Sequence, residues 1–230
     1  MKSNGQLHPL TQMLRASLKY FTDLGFKIAE GPEVETEWYN FDALNVSADH
    51  PSRDVQDTFW LNDGRLLRTH TTPVDIRAVK DGKMNPPVKI IIPGRCFRNE
   101  ATNNTHSYNF YQIDGIAIDK DLNLAHLIGL LEGYMKELFG DQIKTRVRPG
   151  HFSFVEPGLE LDIQMPDGSW REMLGAGMGH PNVLRNMGLD PDKWQAVMWG
   201  MGIDRYMMSQ FGLDDIRTAY NGDLRLIKQF

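Results

Sequence analysis

GRCFRNEATNNTHSYNFYQIDG, residues 94–115, reads as two short strands joined by a polar loop, and it decides the architecture. The spacing predicts a first strand over 95–100, where apolar Cys96 and Phe97 alternate with charged Arg98 and Glu100. The loop, 101–107, holds two Asn, two Thr, one His and one Ser, a composition suited to a turn. The second strand, 108–117, alternates through Tyr111, Ile113 and Gly115 on one side and Phe110, Gln112, Asp114 and Ile116 on the other. Period two places Arg98 and Glu100 on one face of their strand, and Phe110, Gln112 and Asp114 on one face of theirs. A cation, two acids, an amide and an aromatic ring make a poor hydrophobic core. They suit a polar ligand that carries a flat ring. On pattern alone a solvated face of mixed charge fits equally, since antiparallel sheets commonly have one wet face.

The composition narrows the classes. The chain has 230 residues, 41% hydrophobic and 24% charged, an ordinary globular balance within reach of one large domain. It holds no apolar run near the length of a membrane span, so no membrane role is expected. MKSNGQLHPL has no apolar core, and a secretory signal is not expected there. The single cysteine, Cys96, excludes an internal disulfide and suits a reducing, cytoplasmic setting. The net charge of −5 argues against a general nucleic-acid binder. If RNA is a partner, another chain or region supplies most of the positive surface.

Outward from the hairpin, polar residues 1–6 precede a helix opened by His8-Pro9 and ended by Gly25, with Leu10, Met13, Leu14, Leu18, Phe21 and Leu24 at helical spacing. Residues 57–61 and 66–69 suggest a hairpin turned at Asn62-Asp63-Gly64. His70 to Thr72 precede a helix over 73–80, with Thr72 as its cap and Pro73 in its first turn. Helix N-termini favour anions, so His70, Thr71 and Thr72 are placed to hold a carboxylate or phosphate. The apolar run 88–92 suits a central strand, and Leu124, Leu127, Ile128, Leu131, Met135 and Leu138 mark a core helix. Phe152 and Phe154 share a side of an extended segment beside Glu156. A second hairpin turns at Pro166-Asp167-Gly168, and an apolar strand over 194–199 runs into GMGIDR, residues 200–205. At least seven strands, mostly hairpin-connected, with three long helices, argue an α+β fold on an antiparallel sheet.

GMGIDR is a weak signal by itself. Its glycines let a ligand approach the backbone, and Arg205 follows at the helix start. With Arg98 it would place two guanidinium groups around a polyphosphate, a role that suits a planar, permanently charged group. Acids at Glu100, Glu156 and Glu172 are candidates to hold magnesium against phosphates. No Walker A loop and no Ser/His/Asp signature is present.

These segments resemble one family. GPEVETEWYNFDALNVSADHP, 31–51, looks like motif 1 of the class II aminoacyl-tRNA synthetases; 94–115 looks like motif 2 and GMGIDR like motif 3. RTHTTP, FSFVEPG and GAGM are similar to the alpha-subunit family of the phenylalanyl-tRNA synthetases, and the resemblance spans residues 8–230. It implies a single class II catalytic domain over 1–230, an antiparallel sheet of six to seven strands flanked by helices, with the active site on the sheet. It implies that Arg98 holds the α-phosphate of ATP, Glu100 reads the adenine amino group, and Phe110 stacks on adenine with Arg205 on the other face. His106 would contact phosphate, and Gly202 would lie against ATP. His70, Thr72, Gln112 and Asp114, with Gly200, would hold the amino acid, and Phe152 and Phe154 would line its aromatic pocket by edge-to-face packing. Glu156 matches the family's magnesium position.

The partners implied are ATP with Mg2+, phenylalanine, tRNA(Phe) through other subunits or regions, and a beta subunit in an (αβ)2 assembly; a homodimer of a short form is equally allowed. The helix over 10–24 and motif 1 would then face a partner chain. This sequence starts at the catalytic domain, without the helical arm that holds tRNA in the family, as a shortened or naturally short form. Asp75 stands where the family often has Gln, beside the amino-acid ammonium. Met198 stands where it usually has Ala or Gly, at the pocket floor. Those two departures keep open a paralogue that activates a different amino acid or carrier substrate. A non-catalytic synthetase-like subunit is the remaining alternative.

Overall fold

The hairpin expected over 94–115 exists and is longer than its motif: Val88–Phe97 pairs antiparallel with Asn109–Asp119. The structure, a computed structural model, describes residues 5–229, so most of the polar lead-in lies outside it. In chain order the elements are α1 (Pro9–Asp23), β1 (Lys27–Ile28), β2 (Val34–Glu35), α2 (Glu37–Asn40), β3 (Leu66–Leu67), α3 (Pro73–Lys80), β4 (Val88–Phe97), β5 (Asn109–Asp119), α4 (Leu124–Phe139), β6 (Thr145–Phe152), β7 (Val155–Gln164), β8 (Trp170–Gly179), α5 (Pro181–Asn186), β9 (Gln195–Gly202), α6 (Ile203–Phe211) and α7 (Leu224–Ile227). Seven strands form one sheet in the order β1-β4-β5-β9-β8-β7-β6. Only the β1–β4 pair is parallel. The fold class is α+β, as expected.

Strand alternation divides the core in two. Ile91, Ile113, Leu161, Val197 and Trp199 point to one face, where Phe21, Leu131, Tyr134 and Tyr206 from α1, α4 and α6 cover them. Ile90, Ile92, Ile116 and Met198 point to the other, under Val74, Ile76 and Val183 from α3 and α5. The second face leaves part of the sheet uncovered by helices, and the site lies there.

The hairpin expected between 57–61 and 66–69 is present but short, with a Trp60–Leu66 bridge, the Leu61 amide donating to the Arg65 carbonyl (2.7 Å) and the Leu67 amide to the Phe59 carbonyl (2.9 Å); Leu66–Leu67 also pairs with Val34–Glu35. Two expectations are corrected. Leu10, Met13 and Phe21 of α1, expected to face a partner chain, are buried in this chain's own core. Helical spacing reports that a face is covered, not what covers it. Thr72 does not cap α3; its backbone is already helical and its hydroxyl donates to Asp114 instead. No helix among the described residues is long and apolar enough to cross a membrane.

Candidate active site

Arg98 and Arg205, far apart in the chain, line one cavity of about 760 Å3. Around them stand Glu100, His106, Phe110, Gln112, Glu172 and Gly202. The strand that carries Arg98 ends earlier than its pattern suggests, at Phe97. Beyond it the Arg98 amide still donates to the Tyr108 carbonyl (2.9 Å), but Asn99 turns away to the carbonyls of Asp57 (3.0 Å) and Val55 (2.7 Å). Arg98 and Glu100 are therefore loop residues at the cavity mouth. The Arg98 guanidinium carbon lies 4.9 Å from the centre of the Phe110 ring, a cation–π contact that shows the ring presenting a face to the cavity. His106 is exposed on the loop, its Nδ1 2.9 Å from the Thr105 hydroxyl.

Arg205 is fixed from beneath. β9 runs through both glycines directly into α6, so Arg205 falls in the first helical turn. Its Nη1 donates to the Glu172 carbonyl (2.9 Å) and lies 3.4 Å from the Glu172 carboxylate. The neighbouring Asp204 is buried and accepts from the Tyr111 amide (2.7 Å) and from the Tyr220 hydroxyl, which locks α6 to β5.

The inner end of the cavity is built differently. His70, Thr72, Gln112, Gly200, Phe152 and Phe154 line it. The Thr72 hydroxyl donates to Asp114 Oδ2 at 2.5 Å. Burial pushes the Asp114 carboxyl up to about 6, against the pull of Thr72, Thr71, Gln112 and Arg68. Burial and then Arg98 push the His70 imidazole down to about 3, so it is neutral near pH 7. A Cβ at Gly200 would stand 2.7 Å from Asp114 Oδ1 and 2.9 Å from Gln112 Nε2, so a side chain there would displace these two polar groups. The Phe152 and Phe154 rings are 6.0 Å apart and tilted by 32°, not perpendicular. Phe152 lies against Gly175, where a Cβ would meet its ring at 2.4 Å. A flat, cation-lined mouth joined to a polar throat and an aromatic end suits a nucleotide triphosphate and a zwitterion with an apolar side chain.

The tRNA synthetases class II core domain (F) family matches residues 1–230. The phenylalanine--tRNA ligase alpha subunit of Alkaliphilus metalliredigens is 48% identical over 237 residues, covering 98% of this chain and 69% of its own length. That of Synechocystis sp. is 45% identical over 229 residues, covering 100% of this chain and 68% of its own length. This chain belongs to the phenylalanine--tRNA ligase alpha-subunit family of class II synthetases. The fold agrees: pyrrolysyl-tRNA synthetase from Desulfitobacterium hafniense superposes with a TM-score of 0.73 at 18% identity, covering 93% of this chain and 74% of that one.

Four residues assigned from the family pattern lie off the cavity wall, Asp114 among them at 1% exposure. Met198 is on the correct face of β9 but 1% exposed, packed in the core behind Phe152 and Phe154. Asp75 is fully buried in α3, close enough to Asp114 for that residue's charge to act on it. Glu156 is exposed and outside the cavity, because the pairing of β7 with β8 shifts register between Val155 and Gly158 and breaks its alternation. No group of three or more His, Cys, Asp or Glu among the described residues is arranged to hold a metal unaided. Glu172, on the cavity wall with its carboxylate 47% exposed, fits magnesium shared with substrate phosphates, a cation that keeps waters and takes only one or two carboxylates. Sequence reasoning missed Asp204, Arg171, Leu213, Asp214 and Ile216 at this cavity. Asp204 carried a signal, as the acid beside Arg205 in GMGIDR; the others lie in segments without a motif.

Proposed function

We propose that this chain activates phenylalanine with ATP and, as a catalytic alpha subunit working with a beta subunit in an (αβ)2 assembly, passes it to tRNA(Phe). One observation carries the reading: Arg98 and Arg205 converge on a single cavity whose far end is Phe152 and Phe154. The amino-acid carboxylate attacks the α-phosphorus in line, an O–P bond forms, and the bond to pyrophosphate breaks. No side chain need act as nucleophile or base. Arg98 neutralises charge on the α-phosphate, and Phe110 and Arg205 sandwich the adenine. Asp114 and Thr72 hold the ammonium, Gln112 orients the zwitterion, and His70 stays neutral so that it can donate or accept without adding charge. Positioning and charge neutralisation supply the rate. Glu172, with Glu100 on the wall of the same cavity, would hold Mg2+, which adds positive charge at the phosphates.

ATP–pyrophosphate exchange tested with each of the twenty amino acids, with and without a beta subunit, checks the reading. Exchange with phenylalanine is expected, and Arg98→Ala should lower it about 100- to 1,000-fold, the scale of one lost transition-state contact. Exchange with another amino acid alone, or none with the beta subunit present, overturns it.

A further inference from the structure

Two buried carboxyl groups, Asp75 and Asp114, have fewer partners than an ionised pair needs. Asp75 is 0% exposed in the first turn of α3, and neither of its carboxyl oxygens has a hydrogen-bond partner among the described residues. Asp114, 1% exposed on β5, receives Thr72 on Oδ2 but leaves Oδ1 unpartnered over Gly200. Thr71 and Gln112 also favour the Asp114 charge, and neither makes a hydrogen bond of normal geometry to Oδ1. Gln112 Oε1 and His70 Nδ1 are also buried and unpartnered among the described residues. An isolated carboxylate taken out of water keeps a proton instead.

Among the described residues no cation forms an ion pair with either carboxyl. Arg68 favours the Asp114 charge from a distance, while its guanidinium donates to the carbonyls of Arg95, Gly31 and Pro32. On the elements packed against α3, Asp42 and Glu37 are held by Arg53, Arg77 by Glu35, Arg185 by Asn182, Lys89 by the Leu24 carbonyl and Arg95 by Tyr111. Lys80 lies over the Trp38 ring. Arg98 faces His70 and Phe110 across the cavity.

We propose that Asp75 is a neutral carboxylic acid in the ligand-free site, that it and Asp114 together carry one negative charge, and that a substrate ammonium docking on Asp114 expels the proton of Asp75 to solvent. Burial and the Asp114 charge both push the Asp75 carboxyl well up, and an ammonium on Asp114 cancels the second of these. The O–H bond of Asp75 breaks heterolytically and no electron moves. Asp75 is off the cavity wall, so it is a positioning residue that acts through Asp114. The family often has Gln here, which cannot hold a proton in this way. The identity of the ammonium rests on the phenylalanine reading; the proton on Asp75 does not.

Infrared difference spectroscopy near pH 8 separates the two. The wild-type protein, with its beta subunit, is expected to show a protonated-carboxyl band that Asp75→Asn, an isostere of the neutral acid, lacks. Identical spectra overturn the proposal. Calorimetry in two buffers of different ionisation enthalpy should then show phenylalanine binding releasing up to about one proton from the wild type and close to none from Asp75→Asn. Hydrocinnamate, which lacks the ammonium, should release none. Phenylalanine binding without proton release, or with equal release from both proteins, overturns the expulsion. If phenylalanine does not bind, the activation reading falls, and the carboxyl band still decides the proton.

Discussion

Asp114 holds an ammonium only when ionised, and its buried carboxyl, pushed up to about 6, titrates close to working pH. Below that value the pocket loses its anion, so the KM for phenylalanine should rise about tenfold per pH unit while that for ATP stays flat. His70, held neutral by burial and Arg98, adds no limb of its own above its value of about 3. The sign for stability is opposite to the usual aspartate case. Folded Asp114 binds its proton more readily than the unfolded chain does, so its contribution to stability falls as pH rises from its ordinary 3.8 through about 6. Exchange kinetics between pH 5 and 8 check the first statement; a phenylalanine KM that is flat below about pH 6 contradicts it. Met198 gives a second residue-level test. It belongs to the buried cluster that Phe152 and Phe154 pack against, so Met198→Ala should lower the unfolding free energy by about 2–4 kcal/mol. The space it leaves should admit para-substituted phenylalanines. Unchanged amino-acid selectivity would remove Met198 from the pocket's second layer.

At the scale of elements, α3 decides whether the throat of the site exists, because His70 and Thr72 lead into its first turn. Its anchor is Arg77, which donates Nε and Nη2 to the two oxygens of Glu35 at 2.7 Å each and lies 3.7 Å from the centre of the Tyr39 ring. Glu35 is fully buried on β2. Arg77→Ala would leave that carboxylate unpaired out of water, and the expected loss is about 3–5 kcal/mol. Chemical denaturation measures it, and a loss under about 1 kcal/mol would mean that water reaches Glu35 in the variant. The helix itself was legible from Thr72-Pro73 and the apolar residues after it, and so were α1, α4 and the β4–β5 and β7–β8 hairpins. What the pattern misassigned shares a physical reason. The Asn99 contacts to 55–57, the β2–β3 pairing and the Thr72–Asp114 hydrogen bond are long-range, and local periodicity contains no information about which distant group satisfies a polar atom.

Across the whole molecule the sheet separates a permanent side from a working side. Helices α1, α4 and α6 cover one face with an aromatic cluster in which Phe21 touches Phe26, Tyr134 and Trp199. The other face carries the cavity, and its rim is made of two loops that meet through the Ile216 amide and the Asn104 carbonyl at 2.9 Å. That meeting explains why Leu213, Asp214 and Ile216 escaped sequence reasoning: they reach the site only because the loop after β4 reaches them. Backbone amides in such a rim exchange through local opening, while those under the aromatic cluster need global unfolding. A triphosphate held by Arg98, His106 and Arg205 would tie the two loops together. ATP should therefore slow hydrogen exchange in residues 99–107 and 212–217 together, by about tenfold or more, and leave α4 unchanged. Arg205→Ala should reduce protection in both loops, though it touches neither of them in sequence. Protection confined to 99–107 would mean that the C-terminal rim is a passive wall. Protection spread equally into α4 would mean that the sheet transmits ligand binding and does not isolate it.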